Sequence, residues 1–316
     1  MRRPACARSS PSCAGTTISD VSTLTTTTSG VGQLGAMLAT LWRRGADHFL
    51  RPPLVTAVGA SDVGRVRENN EDYFLLADLA RPAATVRGSD RVGAVTSSRP
   101  LLLVADGMGG AAGGEVASAM AANIICSQVE LAAREHRLRT GAQWRKTLAD
   151  AFVTANGRIR ARGEADAPLR GMGTTATAVA LAGDGLYVAH VGDSRAYVVR
   201  DGHARRLTKD HTWLQYLIDA GRPDDTEAGD PRRNALLRAL GTQPAVTVDV
   251  THAELRHGNT VILCTDGLWS VVDDGELARL VSAQPDLNAL CQTLLALASD
   301  RGGQDNATVL AARMEP

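Results

Sequence analysis

The sequence predicts an α+β fold in which antiparallel strands and helices occupy separate layers. Residues 174–208 alternate β-branched or aromatic runs with the turn dipeptides Asp184-Gly185 and Asp201-Gly202. Links of this length join neighbouring antiparallel strands. The helical patterns occur in blocks outside this region, whereas a doubly wound parallel sheet would alternate strand and helix along the chain. With 316 residues, the chain can form one large domain around a substantial core.

The first 50 residues differ in composition from the remainder. The stretch ARSSPSCAGTTISDVSTLTTTTSG is rich in Ser and Thr and poor in apolar residues, which predicts a disordered extension over residues 1–50. The basic start lacks the apolar run of a secretory signal peptide, and a mitochondrial-type presequence is the competing interpretation. The folded domain is therefore predicted to span residues 51–316.

The first half of this domain shows strand patterns followed by helical patterns. Residues 54–79 predict two short strands around a polar turn, and residues 80–100, dotted with Pro, Gly and Ser, predict an exposed loop. The apolar run 101–107 predicts the next strand. Small and apolar residues recur at helical spacing over 113–136 and 144–163, which predicts two helices packed side by side on a sheet.

The second half contains a polar interruption between strands. After the hairpins, residues 210–241 change to a polar and partly helical insertion. The run NTVILCTDG at 259–267 predicts a strand, two further helices follow, and residues 306–313 predict the last strand.

Composition excludes several classes of function. Lys plus Arg and Asp plus Glu number 34 each, so no basic excess indicates nucleic acid or anionic lipid as a partner. The five cysteines are odd in number and lack CxxC spacing, which argues against a zinc site and a disulfide framework and favours a reducing cytoplasm. The longest apolar runs are too short to span a bilayer, so no membrane segment and a cytoplasmic location are predicted.

Acidic residues recur at the predicted ends of strands. Asp106 and Asp266 each follow an apolar run and precede a glycine, Asp305 precedes the last strand, and Glu71 with Asp72 opens an early strand. Carboxylates gathered at buried strand ends repel one another, so clustering them requires a cation. Such oxygen ligands favour Mg²⁺ or Mn²⁺ over zinc. An Asp-Gly pair alone is most often a simple turn, so the hypothesis depends on the combination.

Seven motifs follow one another in the order typical of one enzyme family. They are SDVGRVRENNEDYF, VADGMGGAAGGEVAS, GMGTTATA, HVGDSRAYVVRDG, LTKDHT, CTDGLW and GGQDNATV. From about Val55 to Ala312 the sequence resembles the metal-dependent protein Ser/Thr phosphatases of the PP2C (PPM) family in their bacterial form. The resemblance implies a central sandwich of two antiparallel β-sheets flanked by α-helices, with a dinuclear metal site at one end and a flap at about 210–241.

The resemblance also implies a ligand set for two Mn²⁺ or Mg²⁺ ions. Asp106 is expected to bridge both ions, Asp266 and Asp305 to complete the first site, and Glu71 with the Gly107 carbonyl to complete the second. In such a centre a bridging water becomes a hydroxide that attacks phosphorus, so no covalent phosphoenzyme is expected.

Two more residues of the first motif are expected to act in catalysis. Arg67 resembles the phosphate-binding arginine of the family, and its planar fork suits two phosphoryl oxygens. Asp72 is expected to hold metal-bound water. One short stretch would thus supply a metal ligand, a substrate clamp and a water-holding carboxylate.

The sequence departs from the family pattern at two positions. Many eukaryotic members have a histidine, proposed as the general acid, where this chain has Met108, as bacterial members commonly do. Bacterial members often have an aspartate three residues before GMGTT that helps to hold a third metal. Here that position is Pro168, and Asp166 is the nearby candidate for a third site, which is weak, shifted or absent.

Several other motifs have both a functional and a structural interpretation. The glycines of DGMGGAAGGE could indicate a phosphate-binding loop, but no GK[ST] follows, and close backbone approach to metal-bound water is the preferred interpretation. Gly171, Gly173, Thr174 and Thr175 either form part of the site or build a tight turn. Asp193 and Arg195 are predicted to form a structural ion pair.

The histidines and the charges of the insertion complete the candidates. The following histidines are interpreted as ordinary surface or core residues: His190, His203, His211, His252 and His257. The flap is the expected specificity element, in which Arg222, Arg232, Arg233 and Arg238 either contact a phosphopeptide or regulator or lie on a solvated face.

The leading hypothesis is a monomeric phosphatase of phosphoserine and phosphothreonine in proteins. Its expected partners are phosphoproteins, among them a bacterial Ser/Thr kinase that it opposes. The alternatives are an inactive binding or regulatory module of the same fold and a metal phosphohydrolase of small phosphate esters. Because every expected acidic ligand is present, the inactive module is disfavoured.

Overall fold

The computed structural model describes residues 54–89, 92–109, 113–182, 185–227 and 230–314, all within the unit Pro52–Pro316. The predicted extension over residues 1–50 lies outside the described residues. The strands are β1 (Val55–Asp62), β2 (Asp72–Asp78), β3 (Val86–Gly88), β4 (Gly93–Ser97), β5 (Pro100–Met108), β6 (Gly173–Thr174), β7 (Ala176–Ala182), β8 (Gly185–Val191), β9 (Arg195–Arg200), β10 (His203–Arg206), β11 (Asp249–Glu254), β12 (Thr260–Cys264) and β13 (Ala307–Met314). The helices are α1 (Gly113–Arg134), α2 (Gly141–Ala165), α3 (Trp213–Asp219), α4 (Asp266–Trp269), α5 (Asp274–Ala283) and α6 (Leu287–Asp300).

The strands form two antiparallel sheets, as predicted. In the described chain, one sheet has the order β10-β9-β12-β13-β1-β4 and the other has the order β11-β8-β7-β5-β2-β3, with β6 paired to β5. Inward-facing residues of both sheets, such as Phe74, Val104, Leu263 and Leu310, form a common apolar core between them. This burial stabilises the sandwich, because removal of apolar surface from water is the main favourable term in folding.

Helices cover both outer faces of the sandwich. The helices α1 and α2 pack on β5, β7 and β8 through buried residues such as Ile125, Leu148 and Phe152. The helices α5 and α6 pack on the other sheet, where Leu277 and Leu294 are buried against its outer face. The four layers confirm the predicted α+β arrangement and leave the ends of the sandwich open to loops.

Side-chain caps fix where the long helices begin. Thr140 forms a capping box with Gln143 at the start of α2. Asp273 and Asp286 accept hydrogen bonds from the first turns of α5 and α6, respectively. Such caps satisfy backbone N–H groups that have no partner within the helix.

Helix α1 is long and apolar enough to cross a membrane by length and composition. More than half of its apolar window is buried inside the fold, where Ala121, Ile125 and Val129 belong to the core under β5. That burial identifies α1 as a core helix, which passes the same test of length and composition.

Two sequence predictions are corrected by the sheets. Residues 80–100 were expected to form an exposed loop, but β3 pairs with β2 and β4 pairs with β1 at the sheet edges. Strand β11, which the pattern did not predict, pairs with β8 at another edge. Edge strands are short and only half-buried, so Gly, Ser and polar residues are tolerated there and mask the strand pattern.

The predicted insertion between strands is present. Over 210–241 the structure contains α3, two short 3₁₀ turns and isolated bridges that join Thr174 to Leu240 and Thr212 to Leu236. We call residues 210–241 the flap. The bridge between Thr212 and Leu236 therefore joins the two ends of the flap, and the bridge to Thr174 places its C-terminal end beside β6.

Candidate functional site

Strand ends from both sheets meet at one end of the sandwich. In the β2–β5 ladder, Asp72 is paired directly with Asp106. Asp266 follows β12 and Asp305 precedes β13, and these two strands are antiparallel neighbours. Hydrogen bonds from Thr265 and Thr308 to Asp72 connect the two sheets at this point. The structure therefore brings Asp72, Asp106, Asp266 and Asp305 to the same end of the sandwich.

Asp72 is the most deeply buried of these carboxylates, with 1% of its surface exposed. Its Oδ2 atom accepts hydrogen bonds from the Thr265 and Thr308 hydroxyls, each at 2.7 Å. Its Oδ1 atom is buried and has no hydrogen-bond partner in the described chain. Burial raises the pKa of Asp72 well above its usual value, although the two hydroxyls oppose the shift. An unpartnered buried oxygen indicates a place for a further polar group.

Asp106 and Asp266 perturb each other. Burial is the main cause that raises the pKa of Asp106 well above its usual value, and the charges of Asp266 and Asp72 add to the shift. Burial and the charge of Asp305 raise the pKa of Asp266 to about 6, while a hydrogen bond with Asp106 lowers it. Negative charge is therefore concentrated at this end of the sandwich, which favours a bound cation.

Arg67 lies among these acids. Its Nη2 atom donates to Asp305 Oδ2 at 2.8 Å, and 49% of its side chain is exposed. The guanidinium is thus held beside the carboxylates and remains open to solvent, which is the placement expected of a phosphate-binding arginine.

Glu71 is held at the start of β2 by backbone contacts. Its carbonyl accepts from the Gly107 N–H at 3.1 Å. A Cβ atom on Gly114 would overlap Glu71 Oε1, and one on Gly107 would overlap the Gly114 carbonyl. Burial raises the pKa of Glu71, and the charge of Arg67 lowers it. These glycines allow the backbone to approach the Glu71 carboxylate closely. Their approach to metal-bound water stays a prediction.

Asn306 is a positioning residue that sequence reasoning named only as part of a dipeptide. Its Oδ1 atom accepts from the Glu71 N–H at 2.8 Å. Its amide group donates to the carbonyls of Val63 at 2.8 Å and Asn69 at 3.0 Å. Asn306 therefore joins the loop before β2 to the turn that contains Asp305. The only sequence signal was the position of Asn306 directly after that acid.

The GMGTT motif supports Asp106 and is more than a tight turn. The Asp106 N–H donates to Thr175 Oγ1 at 3.0 Å, and the Thr175 N–H donates to the Asp106 carbonyl at 2.8 Å. The Thr174 hydroxyl donates to the same carbonyl at 2.8 Å. Gly173 pairs with Met108 in the ladder of β5 and β6. The backbone of Asp106 is therefore fixed on both sides.

The predicted ion pair between Asp193 and Arg195 is wrong. Arg195 pairs with Asp210 at 2.6 Å, and its guanidinium stacks 3.6 Å from the centre of the Trp269 ring. The Trp269 indole donates to the Asp193 carbonyl at 2.9 Å. Burial and the charge of Asp266 raise the pKa of Asp193 to about 8. Asp210 pairs with Arg195 because the tertiary fold returns the chain to the start of β9.

The other candidates lie in varied settings. Asp166 ends α2, where it pairs with Arg162 at 3.0 Å. In the flap, Arg222 pairs with Asp225, Arg232 with Asp230 and Arg238 with Asp249. Arg233 donates to the carbonyls of Thr226 and Glu227. The flap arginines are thus engaged by groups of the flap or of β11.

The histidines differ in burial. His190 and His211 are buried and their rings lie 4.7 Å apart, whereas His203 and His257 are exposed. Burial lowers the pKa of His190 to about 3, which keeps it neutral. Sequence reasoning grouped His211 with ordinary residues, but its contacts join the flap to Gly192, between β8 and β9, and to Asp249 of β11.

The donor set fits hard divalent cations. In the described residues, no three side chains of the His, Cys, Asp and Glu types already converge as a closed metal site. The carboxylates nevertheless interact electrostatically, and the buried Asp72 Oδ1 atom lacks a partner. The three described cysteines, Cys126, Cys264 and Cys291, are free and buried. An all-oxygen set of this kind favours Mg²⁺ or Mn²⁺.

Residues 86–310 match the family model for protein phosphatase 2C. The serine/threonine phosphatase stp of Listeria innocua is 32% identical over 251 residues, which are 79% of this chain and 92% of that protein. The serine/threonine protein phosphatase PstP of Mycobacterium tuberculosis is 37% identical over 253 residues, or 80% of this chain. The match spans 43% of PstP.

Solved structures agree with the sequence comparison. The S. agalactiae serine/threonine phosphatase superposes on this chain with a TM-score of 0.72 at 30% sequence identity. The superposition covers 83% of this chain and 100% of that phosphatase. The catalytic domain of the phosphatase PstP, solved in complex with 2 manganese ions, superposes with a TM-score of 0.65 at 34% identity and the same coverage.

Proposed function

The chain belongs to the protein phosphatase 2C family, and we propose that it hydrolyses phosphoserine and phosphothreonine in proteins with divalent cations bound among its clustered carboxylates. The observation that supports this most strongly is the junction of four strand ends around the unpartnered Oδ1 atom of Asp72. The function as a Ser/Thr protein phosphatase follows from named relatives at 30–37% identity over most of the chain.

We assign the residues that would hold two Mn²⁺ or Mg²⁺ ions as follows. Asp106 would contribute to both sites, Asp266 and Asp305 to one, and Glu71 with the Gly107 carbonyl to the other. Bound cations would supply Lewis acidity that activates water and neutralises phosphoryl charge. The third site, with Asp166 as candidate, stays a prediction, since Asp166 pairs with Arg162.

The chain's own groups then bind and orient the substrate. Arg67 is the partly exposed cation beside the carboxylates, so it can bind two phosphoryl oxygens through its planar fork. The Oδ2 atom of Asp72 accepts hydrogen bonds from the Thr265 and Thr308 hydroxyls. Its Oδ1 atom stays available to accept a hydrogen bond from water. Met108 has no exchangeable proton, so the leaving seryl or threonyl oxygen must take its proton from another group.

We also propose a setting for the reaction. The substrates are phosphoproteins, including a Ser/Thr protein kinase, and the protein acts as a monomer in the cytoplasm. The phosphoprotein substrates are inferred from the named activity of the relatives. The balanced charge of the sequence gives no indication of a nucleic-acid or lipid partner. The alternative activity on small phosphate esters is separated by comparing a phosphothreonine peptide with p-nitrophenyl phosphate.

The test is phosphate release from a phosphothreonine peptide in Mn²⁺. Asp266→Asn should abolish turnover, whereas Arg67→Ala should mainly raise KM. Asp201→Asn, an exposed hairpin residue, is the matched control and should behave as the native chain does. Turnover that persists undiminished in EDTA would contradict the metal assignment, and preference for p-nitrophenyl phosphate in kcat/KM would favour the small-ester alternative.

A further inference from the structure

His211, at the start of the flap, is clamped to Gly192 by two hydrogen bonds. The Gly192 N–H donates to His211 Nδ1 at 3.0 Å, and the His211 N–H donates to the Gly192 carbonyl at 2.7 Å. Only 4% of His211 is exposed. Because Nδ1 is the acceptor, the proton of the neutral ring lies on Nε2.

The Nε2 atom faces Asp249, the first residue of β11. Nε2 lies 3.2 Å from Asp249 Oδ2, and Arg238 of the flap donates to Asp249 Oδ1 at 2.8 Å. The N–H of Leu237 donates to the His211 carbonyl at 2.7 Å. His211 therefore connects both ends of the flap to each other and to the sheet.

Gly192 also connects His211 to Asp106 through Thr175. Gly192 has a φ of 112°, and a Cβ atom there would overlap the Thr175 side chain, so its backbone packs directly on Thr175. Thr175 also bonds to Ser194 Oγ at 2.6 Å and holds the N–H and carbonyl of Asp106. A continuous set of contacts thus runs from Arg238 in the flap to the backbone of a proposed metal ligand.

We propose that His211, oriented by Asp249 and Arg238, is a positioning residue that couples the placement of the flap to the geometry of Asp106. The proposal rests on the proposed function in that Asp106 is taken as a metal ligand. Loss of the Arg238–Asp249 contact frees the His211 ring, and a displaced ring no longer fixes Gly192 against Thr175. Flap movement then changes cation affinity as well as substrate contact.

The test compares two aspartates of similar setting. Asp249→Ala removes an acceptor for Arg238 and His211, whereas the control Asp219→Ala removes an acceptor for Lys209 and Gln215 within the flap region. Mn²⁺ affinity is measured by calorimetry. Turnover is measured with p-nitrophenyl phosphate, which is chosen because a small substrate should not depend on contacts with the flap. Asp249→Ala should weaken Mn²⁺ binding and lower kcat, each about three- to tenfold, and Asp219→Ala should change neither.

Replacements of His211 separate coupling from general stability. His211→Asn retains an acceptor near the Gly192 N–H and should keep Mn²⁺ affinity nearer to that of the native chain than His211→Ala does. In the His211→Ala chain, Asp249→Ala should cause no further loss, since both act through the same ring. Arg238→Gln, a half-exposed site, provides the same comparison if Asp249→Ala fails to fold.

An unchanged Mn²⁺ affinity in Asp249→Ala and Arg238→Gln, with a rise only in peptide KM, would overturn the proposal and leave the flap a substrate contact alone. Equal losses in Asp219→Ala would also overturn it. A native chain that binds Mn²⁺ but releases no phosphate would refute the proposed function, while the calorimetric comparison would still decide the role of His211.

Discussion

The carboxylate end of the sandwich and the flap are built in opposite ways. At the carboxylate end, acids from strands far apart in sequence lie close together, and the pKa values of buried Asp72 and partly buried Asp106 are well above normal. In the flap, each arginine finds an acceptor within the flap or on β11. The carboxylates of the first region repel one another, whereas the arginines of the flap are paired with acceptors. This difference supports the proposal that the cation-dependent chemistry takes place at the strand ends.

The largest effect is expected from Asp106→Asn. Activity should fall by on the order of 1000-fold, because a carboxylate that we propose as a ligand of both cations loses its charge. In EDTA the same change should raise Tm, because it removes a partly buried carboxylate charge that Asp266 and Asp72 repel. Phosphate release and calorimetry in EDTA measure the two effects. A lower Tm in EDTA would show that the carboxylates are not in conflict.

Asp266 should lower the stability of the metal-free protein as pH rises, while His190, kept neutral by burial, contributes the opposite trend over the same range. The pKa of Asp266 is raised from 3.8 to about 6, so the folded chain binds more protons than the unfolded chain between these values. The contribution of Asp266 to stability is therefore greatest below about pH 4 and is lost as pH rises to about 6. From pH 5 to pH 7 in EDTA, the native chain should lose stability relative to Asp266→Asn, a comparison in which the contribution of His190 is common to both chains. A stability difference between the two chains that stays constant over this range would contradict the prediction.

A pair of glycines provides the next test. Gly114→Ala places a methyl group against Glu71 Oε1 and should weaken Mn²⁺ affinity about tenfold or more. Gly157→Ala in α2 meets nothing within 4 Å and should stabilise the helix by about 0.5–1 kcal/mol. Metal titration and denaturant unfolding separate the two. Equal effects of both changes would show that Glu71 is not confined by Gly114.

The smallest effect is expected in the flap. Arg222→Gln breaks the pair with Asp225, a largely exposed contact of a class that contributes about 0–1 kcal/mol. Peptide KM should change less than about twofold, since the side chain is already engaged. A large rise in KM would show instead that Arg222 leaves Asp225 to bind substrate.

The sequence predicted most of the fold because long strands and helices have strong periodic patterns. It missed β11 and the edge strands β3 and β4, whose polar and glycine residues disturb the alternation. The Asp-Gly motifs located Asp106 and Asp266, because each follows an apolar run.

The supporting contacts were beyond sequence reasoning. Thr265 and Thr308 lie 193 and 236 residues from Asp72 in sequence, yet both donate hydrogen bonds to it. A lone threonine in a strand or directly after one has no distinguishing sequence pattern. Arg195 was assigned the wrong partner for the same reason, because Asp210 approaches it only in the folded chain. Such contacts depend on tertiary packing.

The most direct test is a crystal structure of the protein grown in Mn²⁺, with anomalous scattering recorded at the manganese edge. The account predicts two anomalous peaks among Asp106, Asp266, Asp305 and Glu71, with both peaks contacting Asp106. A map with no anomalous peak at this end of the sandwich, from crystals that bind Mn²⁺ elsewhere or not at all, would contradict it.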